Sequence, residues 1–81
     1  MLIINTKFKN REFVSEIKSC KLVGTGISES HSIMAVKKEL EIFYETLKKM
    51  KSAGDEIASR KVAVLDRYWK DDPYFIYYLD L

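Results

Sequence analysis

Cys20 is the one cysteine of the chain and His31 its one histidine, and that scarcity excludes two ways of holding a small domain together. A lone cysteine forms no internal disulfide. One cysteine and one histidine fall short of the four ligands of a structural zinc site. The same scarcity argues against covalent catalysis. Lys18 and Lys21 flank Cys20 and would favour its thiolate, but a Cys–His pair also needs a third, orienting group, and no second imidazole exists. Among the acids, Asp71 and Asp72 precede Pro73 and read as a helix stop, and Glu39, Glu41 and Glu45 do not share a helix face with His31. The expectation is a protein without catalytic residues, metal or cofactor, and not an enzyme.

Charge of one sign is also missing. Fourteen basic residues against twelve acidic ones leave a net charge of +2. That is neither the basic excess of a typical nucleic-acid binder nor the acidic surface of a nucleic-acid mimic. No apolar run approaches the roughly twenty residues of a membrane-spanning helix. MLIINTKFKN carries no basic stretch ahead of its apolar residues, so no secretory leader is expected and the expected location is cytoplasmic. Proline occurs once and glycine three times, and there are no repeats or linkers, so residues 1–81 read as one domain. A domain of this size buries only about 60% of the surface its unfolded chain exposes. With no staple, it needs very regular packing or a second subunit, and a homo-oligomer is expected.

What is present is mostly helical in pattern. The alternation Leu2, Ile4, Thr6, Phe8 suggests a short N-terminal strand or arm. Asn10 then serves as a cap for a short helix carrying Phe13, Val14, Ile17 and Cys20, with a strand through 20–23 as the competing reading. VGTGISESHS reads as a loop, with Ser28 or Ser30 capping the next helix. Ile33, Val36, Leu40, Phe43, Leu47 and Met50 then recur by threes and fours, the apolar seam of a helical hairpin. Gly54 breaks the pattern and Asp55 caps a second helix. On it Ile57, Ala58, Val62, Val64, Leu65, Tyr68 and Trp69 fill one arc, in which Lys61 is the single charge. The expected fold is mainly α: an antiparallel hairpin of helices near 30–51 and 55–70, with an N-terminal arm and an aromatic C-terminal segment. The alternative is α+β with short N- and C-terminal strands, including a strand hairpin of KVAVLDRYW with YFIYYLDL.

Six of the ten aromatic residues fall between Tyr68 and Tyr78. A monomer of this length has little interior in which to hide them, and Tyr and Trp are enriched at protein interfaces. Tyr68, Trp69, Tyr74, Tyr77 and Tyr78 are therefore the expected partner-binding residues of a small adaptor or inhibitor that works by protein–protein contact. Small phage and mobile-element accessory proteins share this size and composition. A second reading assigns a phosphorylated nucleotide to Gly24, Thr25, Gly26 and Ser28, with Lys37 and Lys38 as added donors, because glycines before a helix N-terminus let a backbone approach phosphate. No Gly-Lys-Ser/Thr sequence follows them, and Glu29 opposes an anion there. A third reading assigns nucleic acid to Lys7, Lys9 and Arg11 or to Lys48, Lys49 and Lys51. The second basic group is also what a helix C-terminus favours electrostatically.

Overall fold

The computed structural model of the protein describes residues 2–67 and 75–80. The chain runs through β1 (Leu2–Lys9), β2 (Glu12–Ile17), a single 3-10 turn (Lys18–Cys20), β3 (Leu22–Gly26), α1 (Glu29–Ser52), α2 (Glu56–Leu65) and β4 (Phe75–Asp80). The strands form one sheet in the order β3-β2-β1-β4. Strands β1, β2 and β3 pair antiparallel in sequence, and β4 closes the far edge parallel to β1. A parallel pair needs a long crossover, and the two helices supply part of it.

This corrects the expectation of a mainly α fold: the protein is α+β, with a mixed four-stranded sheet beside two helices. The error lies in three short segments. Residues 12–17 are a strand and not a capped helix. Asn10 and Arg11 both have positive φ, at 53° and 66°, and form the two-residue connection that turns β1 back into β2, as in a type I′ hairpin. Phe13 sits opposite Phe8 across the strands, their ring centroids 5.1 Å apart, so the residue spaced like a helical one is half of a cross-strand aromatic pair. Val23 to Gly26, read as loop, belong to β3. Phe75, Tyr77 and Tyr78 lie in β4, which pairs with β1, as the α+β alternative with short N- and C-terminal strands has it, whereas residues 61–65 belong to α2 and not to a strand hairpin.

The two helices of the expected hairpin are present. The Ser28 hydroxyl accepts from the backbone N–H of His31 at 3.1 Å and caps α1. Asp55 accepts from Ala58 at 3.0 Å and caps α2, after Gly54 has turned the chain at a φ of 93° that favours glycine. The buried face of α1 is Ser32, Val36, Leu40, Tyr44 and Leu47. The core is thus rotated slightly from the predicted seam: Ile33 and Phe43 flank it, and Met50 is 43% exposed. On α2, Ala58, Val62 and Leu65 are buried, whereas Ile57 and Val64 face solvent. Leu2, Ile4 and Ile17 complete the core from the sheet.

Helix α1 lies across one face of the sheet, against β3, β2 and β1, and α2 packs on α1. Glycines set the distance on the β3 side. A Cβ on Gly24 would lie 2.2 Å from the backbone nitrogen of Val36, and one on Gly26 would lie 2.6 Å from the Cβ of His31. Both positions must stay bare for the helix backbone to rest on the strand. Between them and β1 runs a buried hydroxyl chain. Thr6 and Ser15 are 2.6 Å apart, Ser15 and Ser32 are 2.7 Å apart, and the Ser32 hydroxyl donates to the Glu29 carbonyl at 2.9 Å. Each hydroxyl has one proton, so the order follows: Thr6 donates to Ser15, Ser15 to Ser32, and Ser32 to the backbone of α1.

Candidate functional site

Strand β4 is six residues long and reads FIYYLD. It is an edge strand whose inner side pairs with β1 from Leu2–Phe75 to Lys7–Asp80. No described strand pairs with its outer side. Side chains alternate along a strand, so Phe75, Tyr77 and Leu79 point to the face that carries α1, and Ile76, Tyr78 and Asp80 point to the opposite face, bare of any described helix. Tyr77, Tyr78 and Leu79 are each about half exposed, at 48%, 54% and 46%.

Of the five expected partner-binding residues, Tyr68, Trp69 and Tyr74 lie outside the described residues. Tyr77 and Tyr78 occupy opposite faces of β4. On the α1 side Tyr77 meets Lys37: the ammonium donates to the phenol oxygen at 2.6 Å. It also lies 4.6 Å from the Phe75 ring centroid and 5.1 Å from that of Tyr77, within the range of a cation–π contact. The sequence reading placed Lys37 and Tyr77 in two different sites. The structure joins them in a clamp that holds the edge strand to the helix.

On the bare face, Tyr78 and Ile76 continue a surface made by Ile3 and Asn5 from β1, Val14 and Glu16 from β2, and Val23 and Thr25 from β3. Ile3 is 43% and Val23 52% exposed. Lys7 and Lys9 also point to this face. In register Lys7 neighbours Asp80, and Lys9 neighbours Glu12, while Glu16 lies in the next row. Acids therefore intersperse the basic residues that the nucleic-acid reading relied on, and Arg11 sits apart in the turn.

The nucleotide residues are dispersed. Gly24 and Gly26 are covered by α1, which accounts for both glycines by packing. Thr25 points to the bare face, Lys37 is engaged at β4, and Lys38 is exposed further along α1. Ser28 caps α1 and bonds the His31 ring at 2.6 Å, so the lone histidine stands at a cap. Among the described residues no group of acids, His and Cys is arranged to hold a metal ion, and no helix is long and apolar enough to cross a membrane.

Sequence reasoning missed the hydroxyl chain, because Thr6, Ser15 and Ser32 come from three elements and carry no joint pattern. It also missed the gathering of Lys21, Arg60 and Lys61 around one cavity. The intrusion of Lys61 into an apolar arc was the available signal for that.

The chain matches no protein-family model, no curated protein and no solved structure.

Proposed function

We propose that the protein is a small non-enzymatic cytoplasmic binding protein, an adaptor or inhibitor, that works through protein–protein contacts along β4 and associates there with a second copy of itself. The observation that carries this reading is the composition of the edge. Soluble proteins usually guard edge strands with lysine, proline, a bulge or a cover. β4 has neither lysine nor proline, its one charge is the terminal Asp80, and its other five residues are apolar or aromatic. Such an edge takes up an added strand readily, the main chain supplying hydrogen bonds and alternate side chains supplying selectivity.

Self-pairing is consistent with the side-chain pattern. A twofold axis through the sheet keeps each face on its own side, so antiparallel β4 strands can pair only in registers that match faces. With the axis at Tyr77, Ile76 faces Tyr78 of the second copy and Phe75 faces its Leu79. With the axis at Tyr78, Tyr77 faces Leu79 of the second copy. Neither register sets Asp80 against Asp80. The pairing would join the two bare faces into one apolar and polar mixed surface for a further protein.

Sedimentation analysis across a concentration series tests this. A dimer is expected for the wild type and a monomer for Ile76→Lys/Tyr78→Lys, with unchanged circular dichroism. A wild type that remains monomeric at every concentration overturns the self-association. An unchanged dimer in the double variant removes β4 from the contact.

A further inference from the structure

An open cavity of about 620 Å³ lies where the start of β1, the 3-10 turn, α1 and α2 come together. Its volume falls within the roughly 300–1,000 Å³ of small-molecule sites. The floor is apolar: Leu2 from β1, Phe43 from α1, and Val64 and Leu65 from α2. Lys21, Arg60 and Lys61 also line it, all exposed, and no acidic residue is among the described lining residues.

Among the described residues, no ion pair compensates these three cations. The two ion pairs among the described residues are Lys18–Glu16 and Lys48–Glu45, and neither involves Lys21, Arg60 or Lys61. Three positive charges with no ion pair to a described residue therefore line one cavity in a chain whose net charge is +2. Two of them, Arg60 and Lys61, are consecutive on α2. The third comes from a separate element and is held by the backbone. Lys21 has a φ of 57° and its N–H donates to the Lys18 carbonyl at 3.2 Å. A left-handed backbone is unfavourable at a residue other than glycine, and such conformations gather at functional positions. Val64, half exposed on α2, lines the same cavity.

We infer that this cavity binds a small amphipathic anion free in solution: a carboxylate or phosphate monoester head held by Lys21, Arg60 and Lys61, and an apolar body on Leu2, Phe43, Val64 and Leu65. The second described cavity lacks this character. It is about 390 Å³, and it carries the Asp66 carboxylate beside Lys48 and Lys51. The binding site is separate from the β4 contact and stands or falls independently of it.

Cys20 lines the same cavity and is the one thiol in the chain, so its alkylation rate reports occupancy. The experiment uses the full chain with dodecanoate below its micelle concentration, and with dodecanol and dodecyltrimethylammonium as neutral and cationic counterparts. Dodecanoate is expected to slow Cys20 alkylation and to shift the amide resonances of 19–21 and 60–65. It should bind at least tenfold more tightly than dodecanol, with the cation weakest. Arg60→Glu/Lys61→Glu should weaken dodecanoate tenfold or more, and Val64→Trp should fill the cavity and abolish binding, both with unchanged circular dichroism. Absence of binding, equal affinity for dodecanol, or shifts elsewhere in the molecule would overturn the assignment. So would sedimentation with phosphatidylglycerol vesicles without binding of monomeric dodecanoate.

Discussion

Lys37 and Tyr77 lie forty positions apart in sequence and meet at 2.6 Å, the ammonium donating to the phenol oxygen while it also rests over the Phe75 ring. The contact ties the third turn of α1 to the edge of the sheet farthest from β3. Replacing Lys37 by alanine removes one hydrogen bond and two cation–π contacts, and is expected to cost about 1–2 kcal/mol. Lys37→Arg keeps the charge over the rings and should retain most of the stability. Urea unfolding with an unchanged denaturant slope measures both, and equal midpoints for wild type and Lys37→Ala would show that the clamp contributes nothing.

Gly24 is expected to be among the least replaceable residues. A methyl group there meets the Val36 nitrogen at 2.2 Å, and a backbone atom inside a helix cannot step aside as a side-chain tip can. Gly24→Ala should destabilise by about 3 kcal/mol, the upper end of overpacking effects. Thr25→Val, on the bare face, should stay within about 0.5 kcal/mol. A Gly24→Ala protein with a wild-type melting temperature would mean that the glycine serves something other than helix docking.

The hydroxyl chain makes an unequal prediction for its members. Ser15→Ala strands the Thr6 donor and leaves Ser32 without the proton it accepts, both fully buried, at an expected cost of about 2 kcal/mol. Thr6→Val removes the first donor of the chain, keeps the volume and should cost less, about 1 kcal/mol or under. Thermal unfolding of the two variants checks the order. A Thr6→Val variant less stable than Ser15→Ala would reverse the direction of the donors.

The turn between β1 and β2 offers a stabilising change. Arg11 holds a φ of 66° in the position where Asn-Gly is the favoured pair. Arg11→Gly should raise stability by about 1 kcal/mol by relieving the left-handed backbone. A lower melting temperature would indicate that the Arg11 side chain contributes more to the fold than its backbone costs.

Local chemistry determined a definite part of this protein. Ser28 and Asp55 cap their helices because their side-chain oxygens lie within reach of N–H groups two or three residues on. The apolar rhythm from Ile33 to Leu47 makes a helix wherever it is placed, and the alternation Leu2–Ile4–Thr6 makes a strand with one inward face. The tertiary structure decided the segments whose partners are distant. Phe13, Val14 and Ile17 fit a helical wheel as well as a strand, and pairing with β1 and β3 settled them. The tail FIYYLD is helix or strand by itself, and the open edge of β1, more than seventy positions away, made it β4. The same holds for the sites. Glycines read as a phosphate loop are the floor on which α1 rests, and Lys61, the single charge of its apolar arc, lines one cavity with Lys21 from a distant segment. Caps and amphipathic helices are satisfied by near neighbours and can be read from sequence. Sheet order, docking distance and clusters of charge depend on residues that only folding brings together.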